Sequence, residues 1–352
     1  MKRFIVLVSI FIGIITFSII GIWNSHFLGK SLPVFTSTYE NYVTSVNPVY
    51  FNSTDQNAIN NQQINSNVNE NPDNLLQHTN PQKGTNEEAK CSKQDHISVL
   101  VLGIDENNQA DAIRLVRIDF LENKISVLAI PRDSYLPIVD MKDHGIEIGR
   151  INATYGYGEY YNGKGMGVVS IAENVNYNYG ITFDHYIAVS FDNVAQYIDI
   201  LGGVDIILEQ PVDGTLQNLG YYSQGEHHLN GESAIDFMRI RYIDSDFYRI
   251  RRQTQVFTAL YDKVMTELTL GKILNIGYTF VSDSSVQSDF AVKDVAPLLC
   301  LAKSLKPSDI QFVEIPQEMY KGFTTPKGGA VKIPDDRVIE LVQSVMGGNY
   351  QE

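Results

Sequence analysis

The pattern of apolar and polar residues predicts a membrane anchor at the start of the 352-residue chain. Two basic residues come first, and an uncharged apolar run then extends from Phe4 to Trp23. A helix of that length is roughly 30 Å long, enough to cross the hydrocarbon core of a bilayer. The pattern therefore predicts a transmembrane helix over residues 4–23, with residues 1–3 in the cytoplasm.

A cleaved signal peptide is the alternative, because it also combines a basic start with an apolar segment. Its apolar segment is usually shorter and ends at a small-x-small cleavage site, which the sequence does not show here. We therefore favour an uncleaved signal anchor in the cell membrane, with the rest of the chain outside the cytoplasm.

Residues 24–95 lack the apolar content that a folded core needs. Between Asn52 and Gln82, fifteen of 31 residues are Asn or Gln, and large apolar side chains are almost absent. Such a composition buries too little surface to offset the entropy of the chain. We predict an extracytoplasmic stalk and a flexible linker, which let a folded domain work at a distance from the membrane.

The pattern changes at His96, where predicted strands begin. The run HISVLVLGID is almost continuously apolar, which is typical of a strand buried on both faces. IRLVRIDF and KISVLAIP follow it and predict a β-hairpin with its turn near Glu122 and Asn123.

Strands and helices then alternate. GVVSIAENVNYNYG is a predicted helix that ends at Gly180, DNVAQYIDILGG is a second helix, and HYIAVSF and VDIIL are predicted strands. The order βαβαβ, followed by helices, predicts an α/β fold: one extracytoplasmic α-β-α domain with a central mixed β-sheet. We place this domain at residues 96–320, before a C-terminal segment of residues 321–352.

The composition argues against several chemistries. The chain contains no G-x-S-x-G, H-E-x-x-H or P-loop motif, and its seven histidines lack metal-ligand spacing. Cys91 and Cys300 have no neighbouring histidine, so a thiol nucleophile is not indicated, and an exported chain permits a disulfide between them without requiring one. A net charge of -14 argues against nucleic acid as a partner.

Arginines are concentrated in one stretch of this acidic chain. Five of the eleven arginines lie within residues 238–253, where lysine is absent. Arginine forms forked hydrogen bonds with phosphate or carboxylate groups. Asn230 is the predicted N-cap of a helix that ends near Arg239, and a second helix is predicted to begin near Asp246.

Helical spacing places several polar residues on one face at the start of this second helix. Asp246, Arg249 and either Arg252 or Gln253 share that face, whereas Arg251 points elsewhere. The free N–H groups of a helix start favour an anion there. The alternative is a set of Asp–Arg pairs on a solvated helix face, each worth little.

Two aspartates lie at strand ends. Asp105 closes the first strand and Asp111 precedes the second, and such carboxylates can share a hard cation such as Mg²⁺. Turns favour aspartate in any case. Arg132 follows the third strand, and ligands of open α/β sheets collect beyond the carboxyl ends of strands, so Asp105 and Arg132 are expected to meet.

Six motifs of the chain occur together in a fixed order: VLVLGID, ADAIRLVRIDFLENKISVLAIPRDSYLPI, RINATYGYG, LGGVDI, HHLNGESAIDFMRIR and DSDFYRIRRQ. In this order and spacing the chain resembles the LytR-CpsA-Psr family over roughly residues 96–270, together with the anchor and stalk. The resemblance implies a phosphotransferase of cell wall biogenesis, which moves a glycopolymer (a teichoic acid or capsule) from a polyprenyl-pyrophosphate carrier to peptidoglycan.

The resemblance also implies roles for single residues. It places Mg²⁺ or Mn²⁺ on Asp105 and Asp111, and it makes these two, Arg132 and Asp246 the catalytic residues. The side chains that it assigns to the pyrophosphate are Arg132, Arg239, Arg241, Arg249, Arg252, Gln253 and Gln109.

The chain departs from the family pattern at two positions. Gln109 stands where an arginine is usual, which implies weaker phosphate binding or a different substrate. Tyr248 stands where a glycine is common. Asp133 and Asn152 match positions that shape the pocket rather than touch phosphate.

The expected mechanism joins these assignments. Arginines and the metal bind the bridging pyrophosphate and neutralise the leaving lipid phosphate, while a peptidoglycan hydroxyl attacks in line and a site carboxylate serves as base. The polyprenyl tail needs an apolar groove, expected between the sheet and the long helices. Two alternatives stay open: a polyprenyl-pyrophosphate hydrolase, or a non-catalytic wall-binding or regulatory module, which Gln109 makes more credible.

Overall fold

The computed structural model describes residue 32, residues 91–241 and 245–267, and residues 286–350 except 291–293, 295–296, 299, 302–303 and 326–328. The predicted anchor at residues 4–23 lies outside the described residues, as does almost all of the predicted stalk and linker. Within the described part of the chain, no helix has the length and apolar character needed to span a membrane.

The predicted strands and helices occur in the predicted order, together with further elements that the sequence pattern did not predict. The strands are His96–Ile104 (β1), Ala110–Asp119 (β2), Lys124–Ile130 (β3), Tyr135–Pro137 (β4), Ile148–Arg150 (β5), His185–Ser190 (β6), Val204–Leu208 (β7), Val212–Asp213 (β8), Tyr221–Tyr222 (β9), Gly225–Leu229 (β10), Gln287–Ser288 (β11), Ile310–Val313 (β12), Tyr320–Thr324 (β13) and Ala330–Pro334 (β14). The helices are Ala153–Tyr157 (α1), Gly167–Tyr179 (α2), Phe191–Ile200 (α3), Gly231–Arg239 (α4), Asp246–Glu267 (α5) and Asp336–Gly347 (α6).

A six-stranded mixed sheet forms the centre of the fold, in the order β11-β6-β1-β2-β3-β12. Strand β6 runs parallel to β1 and β12 runs parallel to β3, whereas β1, β2 and β3 are antiparallel neighbours. The predicted α/β fold with a central mixed sheet is confirmed. The predicted β2–β3 hairpin is also confirmed, and Asn123 occupies the left-handed region of its turn with φ 52°.

One predicted strand lies outside this sheet. The segment VDIIL forms β7, which pairs with β10 in a separate two-stranded sheet. Val204, Ile206 and Leu208 are buried, whereas Asp205 and Ile207 are exposed, so β7 buries only one face. A central strand covered by helices on both sides would bury both faces, which this alternation does not allow.

Apolar side chains cover both faces of the central sheet. On one face, Leu100 of β1 packs in the same core as Ile171 of α2 and Val342 of α6. On the other face, Val99 lies in a cluster with Leu301. Helix α6, within the C-terminal segment of residues 321–352, therefore belongs to the same hydrophobic core as the sheet.

Cys91 and Cys300, whose pairing the sequence left open, form a disulfide bond across a sequence separation of 209 residues. Cys91 precedes β1, and its side chain packs against the cluster that contains Leu298 and Leu301. The bond therefore ties the start of the folded domain to the helical residues that cover one face of the sheet.

The two helices that carry the arginine cluster begin where predicted. Asn230 caps α4 by accepting a hydrogen bond from the Ser233 backbone N–H at 2.9 Å, and α4 ends at Arg239. Helix α5 begins at Asp246, and Arg249 in its first turn contacts Asp111 at the start of β2.

Candidate active site

The candidate site lies at the sheet edge where β1 and β3 end and β2 begins. Ile104 pairs with Ala110 at a β-bulge. Asp105 and Asp111 are the residues that directly follow the two members of this pair in the chain. The backbone of Asn152 bridges β2 and the end of β3. Its carbonyl accepts a hydrogen bond from the Ala110 N–H at 3.1 Å, and its N–H donates to the Arg132 carbonyl at 3.3 Å.

Asp111 is the centre of a buried ion-pair cluster. Its Oδ2 lies 3.3 Å from Nη1 of Arg249, and its Oδ1 contacts Nη1 of Arg132. Nη2 of Arg249 in turn lies 2.5 Å from Oδ1 of Asp246, one helical turn earlier. The structure therefore joins four predicted site residues, which come from β2, the end of β3 and α5.

This cluster, hereafter the Asp111 cluster, contains hydrogen-bond donors that the described residues do not use. Nε of Arg132 and Nε of Arg249 are buried without a hydrogen-bond partner among those residues, and Asp133 Oδ1 lies 3.8 Å from Nε of Arg132. Burial, followed by repulsion from Arg249 and Arg241, lowers the pKa of Arg132 to about 10. Buried cations with unused donors are suited to binding an anion.

Arg114 of β2 adds a further buried guanidinium that the sequence reasoning missed. It is 5% exposed, and its Nη2 donates a hydrogen bond to Oε1 of Gln253 at 2.9 Å. Its Nη1 is buried without a hydrogen-bond partner among the described residues. Burial and then repulsion from Arg249 lower its pKa to about 10. The available signal was a charged residue among the apolar positions of a predicted hairpin strand.

The remaining predicted arginines differ in their surroundings. Arg239 lies at the surface, where its Nη2 donates to Oε1 of Glu106 at 2.7 Å. Arg252 is buried and donates to the backbone carbonyl of Ile240, so it supports the connection between α4 and α5. Arg241 is close enough for its charge to lower the pKa of Arg132, after the effects of burial and of Arg249.

Arg251 points away from the Asp111 cluster, as the helical spacing predicted. Its Nε donates to Oε2 of Glu314 at 2.8 Å, and its guanidinium lies 5.3 Å from the ring centroid of Tyr248. Both side chains of this ion pair are largely exposed.

Asp105 and Gln109 shape the loop between β1 and β2. Oδ1 of Asp105 accepts hydrogen bonds from the backbone N–H groups of Asn107 at 2.9 Å and Gln109 at 2.8 Å. Oε1 of Gln109 accepts a hydrogen bond from Nδ2 of Asn152 at 2.8 Å, which orients the glutamine amide. Asp105 thus has a turn-forming role in this structure, and the side chains of Gln109 and Asn152 are mutually positioned.

Asp105 and Asp111, the predicted metal ligands, supply carboxylate oxygens, the donor type that magnesium binds. Among the described residues, no three His, Cys, Asp or Glu side chains form a ready-made ligand group. Magnesium commonly binds one or two carboxylates and takes its other ligands from water and substrate phosphates. Oδ1 of Asp111 is buried and has no hydrogen bond of normal geometry among the described residues, although Arg132 contacts it. The oxygen donors suit Mn²⁺ equally.

Lys332 approaches the cluster from the β13–β14 hairpin, beyond the residues that carried the resemblance. Its backbone N–H donates to the Asp133 carbonyl at 3.0 Å, and its Nζ lies 4.4 Å from the ring centroid of Phe247. Burial lowers the pKa of Lys332, against the opposing attraction of Asp246 and Asp133. Lys332 reaches this position only because the β13–β14 hairpin packs there, which the local sequence does not reveal.

An apolar cavity of about 80 Å³ lies between the sheet and helices α3, α4 and α5. Arg114, Arg239 and Gln253 are its polar lining residues. At about 30 Å³ per water molecule, the volume suits only a few small groups. A polyprenyl chain would therefore enter only if the helices moved away from the sheet. The apolar side chains in the wall include Val101, Val189, Phe191, Ile235 and Phe257.

Comparisons with known proteins show which family the chain resembles over most of its length. The model of the LytR_cpsA_psr family matches residues 49–333. The polyisoprenyl-teichoic acid–peptidoglycan teichoic acid transferase TagU of Bacillus cereus is 32% identical over 190 residues, 52% of this chain and 57% of that protein. The chain thus spans little more than half the length of this curated relative.

Solved structures show the same fold. The crystal structure of B. subtilis TagV has a TM-score of 0.58 at 24% sequence identity, covering 74% of this chain and 100% of that chain. The structure of TagT bound to LIIa-WTA has a TM-score of 0.55 at 24% identity, covering 72% of this chain and 92% of that chain.

Proposed function

The chain belongs to the LytR-CpsA-Psr family, and on that premise we propose that it is a phosphotransferase that moves a glycopolymer from a polyprenyl-pyrophosphate carrier to peptidoglycan. The observation that carries this proposal is the buried Asp111 cluster, where Arg132 and Arg249 keep unused N–H donors beside an apolar cavity. TagU is named for transfer of teichoic acid from a polyisoprenyl carrier to peptidoglycan, and TagT was solved with LIIa-WTA. A teichoic acid or a related wall polymer is therefore the proposed cargo.

The guanidinium groups serve the anionic part of this substrate. Arg132 and Arg249 bind the pyrophosphate through forked hydrogen bonds, and Asp111 and Asp246 hold the two side chains in position before substrate arrives. A site whose dipoles and charges are already oriented does not have to reorganise as charge develops on the leaving group.

The transfer step follows from this placement. A sugar hydroxyl of peptidoglycan forms a bond to the polymer-side phosphorus, while the bond from that phosphorus to the bridging oxygen breaks. The electron pair leaves on the lipid phosphate, whose charge Arg132 and Arg249 stabilise. The hydroxyl proton passes to a site carboxylate. When bound to Asp105 and Asp111, Mg²⁺ or Mn²⁺ supplies additional charge neutralisation to the phosphate oxygens.

Arg114 offsets the absence of an arginine at position 109 in this proposal. Gln109 carries no charge, and its amide is engaged with Asn152. Arg114 lies near enough to Arg249 for their charges to interact, and its Nη1 has no hydrogen-bond partner among the described residues. We assign Arg114 to the lipid-side phosphate, because it also lines the apolar cavity.

The proposed location is the outer face of the cell membrane, with residues 4–23 as a single-pass anchor. The peptidoglycan acceptor lies outside the membrane. The Cys91–Cys300 disulfide supports this location, because disulfides persist in oxidising compartments and are rare in the cytoplasm.

Turnover by the full-length protein in detergent tests the proposal. The donor is a polyprenyl-pyrophosphate-linked glycopolymer, supplied with and without uncrosslinked peptidoglycan strands. We expect lipid phosphate release that depends on the strands, together with covalent polymer on them. Equal release without strands indicates a hydrolase, and no release with either mixture indicates a non-catalytic wall-binding module.

A further inference from the structure

A second pocket, of about 400 Å³, lies beside the first turns of α5 on the face opposite the Asp111 cluster. Strand β12 runs parallel to β3, with Val313 paired to Leu128. Glu314 and Pro131 therefore emerge at the same edge of the sheet as Arg132. The pocket and the cluster are neighbours at the carboxyl ends of strands, where α/β sheets bind their ligands.

The pocket combines an apolar floor with a polar rim. On the rim, Tyr248 is 47% exposed, and the Arg251 guanidinium, which pairs with Glu314, lies over one face of its ring. Gln317 and Glu318 complete the polar wall. The apolar floor consists of Ala129, Pro131, Phe247, Ile250, Ile315 and Pro316.

We propose that this pocket binds a sugar unit of the acceptor glycan, an inference that rests on the proposed function. An exposed aromatic ring packs against the C–H face of a pyranose, while carboxylate, guanidinium and amide groups match its hydroxyl groups. The volume lies within the range of small-ligand pockets. Tyr248 and Arg251, which the phosphate site does not use, both have a role in this pocket.

The charge of the rim distinguishes the acceptor from the donor. Two carboxylates, Glu314 and Glu318, and one guanidinium, that of Arg251, line the pocket, so its charged lining residues are net negative. A phosphate-rich donor polymer would be repelled there, whereas a neutral stretch of glycan would not. The donor instead belongs at the Asp111 cluster, where Arg132 and Arg249 keep buried N–H donors that the described residues do not use.

The position of the pocket suits an attacking hydroxyl. In the chain, Asp246 of the cluster directly precedes Phe247 of the pocket, and Arg132 of the cluster directly follows Pro131 of the pocket. Consecutive Cα atoms are about 3.8 Å apart, so the pocket and the cluster share two backbone segments at this edge of the sheet.

The test compares Tyr248→Ala and Tyr248→Phe with the wild-type protein, using Tyr221→Ala as the control. Tyr221 is 60% exposed and lies on β9. Tyr221→Ala therefore also removes an exposed tyrosine ring, but one that does not line the pocket. Two quantities are measured on the full-length protein: KM for uncrosslinked peptidoglycan strands and for donor, and affinity for the N-acetylglucosamine tetramer by NMR titration.

We expect Tyr248→Ala to raise the acceptor KM and weaken tetramer binding roughly tenfold, with the donor KM unchanged. Tyr248→Phe keeps the ring and should retain most of the affinity. The proposal is overturned if Tyr248→Ala leaves acceptor KM and tetramer binding unchanged, if it raises the donor KM instead, or if wild-type protein does not bind the tetramer.

Tetramer binding separates this proposal from the proposed function. If the wild-type protein shows no turnover, the transferase function fails, and the binding comparison still decides the pocket. Loss of binding in Tyr248→Ala, but not in Tyr221→Ala, then supports a glycan site, whereas equal binding in the two variants overturns it.

Discussion

Oδ2 of Asp111 and Nη1 of Arg249 lie 3.3 Å apart in the interior, although 138 residues separate them in the chain. The contact joins the start of β2 to the first turn of α5, and Arg132 reaches the same carboxylate from the end of β3. One aspartate therefore holds two arginines that come from different elements. A substrate phosphate would meet these two guanidinium groups already oriented.

Removing this carboxylate should leave two buried cations without their shared partner. We predict that Asp111→Asn lowers the free energy of unfolding by about 3 kcal/mol, the usual size when one member of a buried ion pair is removed. Added inorganic pyrophosphate should restore part of the loss, because it binds only the folded protein. Thermal unfolding with and without pyrophosphate measures both effects.

Asp105→Asn provides the comparison for this prediction. Asp105 accepts two backbone hydrogen bonds in its turn and is only partly buried, so its replacement should cost about 1 kcal/mol. A larger decrease in the free energy of unfolding for Asp105→Asn than for Asp111→Asn would contradict the prediction that Asp111 holds the cluster together.

Replacing arginine by lysine should separate the forked contacts from simple charge. We predict that Arg132→Lys and Arg249→Lys lower kcat/KM at least tenfold, because lysine keeps the charge and loses the planar fork. Arg239→Lys should lower kcat/KM less, because Arg239 pairs with Glu106 at the surface. Initial rates on one lipid-pyrophosphate donor make the comparison.

Arg337→Lys is the matched control for this series. Arg337 is exposed, pairs with its neighbour Asp335 and donates to the Glu318 backbone carbonyl at 3.0 Å, and none of these contacts involves the Asp111 cluster, so its replacement should leave the rate within about twofold. Equal losses for Arg239→Lys and Arg249→Lys would show that the cluster is not the anion site described here.

Arg114 and position 109 should compensate for each other. We predict that Arg114→Met lowers donor affinity and that adding Gln109→Arg to this variant restores part of it, because a guanidinium then returns to the site. A double-mutant cycle, with donor affinity measured for the four proteins, gives the coupling. If the effects of the two substitutions on donor affinity simply add, an arginine at position 109 does not take over the role of Arg114.

Lys332 should make stability depend on pH in a defined direction. Burial lowers its pKa below 10.5, so at pH 7 the folded state carries an unfavourable charge that is relieved as pH rises. Lys332→Met should therefore stabilise the protein at pH 7, and the gain should shrink by pH 10. Urea unfolding at the two pH values measures the difference.

The control for the lysine prediction is Lys321→Met. Lys321 is an exposed residue on β13, the partner strand of β14, so its replacement removes a lysine side chain without removing a buried charge. A gain from Lys332→Met that is the same at pH 7 and pH 10 would contradict the proposed cost of burying the charge.

Local signals in the sequence sufficed for the elements that carry the site. Asn230 as N-cap, Gly180 as helix end and the hairpin turn at Asn123 each depend on the conformations that a few neighbouring residues allow. The helical spacing of Asp246 and Arg249 likewise follows from one helix, and the structure pairs these two residues.

Features set by distant parts of the chain were not predictable in the same way. Helical spacing says nothing about Arg239, whose partner Glu106 lies 133 residues away. Arg114 and Lys332 become neighbours of the Asp111 cluster only when β2, α5 and the C-terminal hairpin pack together. The strand β7 was predicted, but its pairing with β10 depends on which face the tertiary structure buries.

A crystal structure of the protein with a polyprenyl pyrophosphate tests the central claim most directly. We predict that the pyrophosphate oxygens lie about 3 Å from the guanidinium groups of Arg132 and Arg249, with the lipid directed into the widened cavity between the sheet and α5. Pyrophosphate density elsewhere on the protein, with the Asp111–Arg132–Arg249 contacts unchanged and no anion beside them, would contradict it.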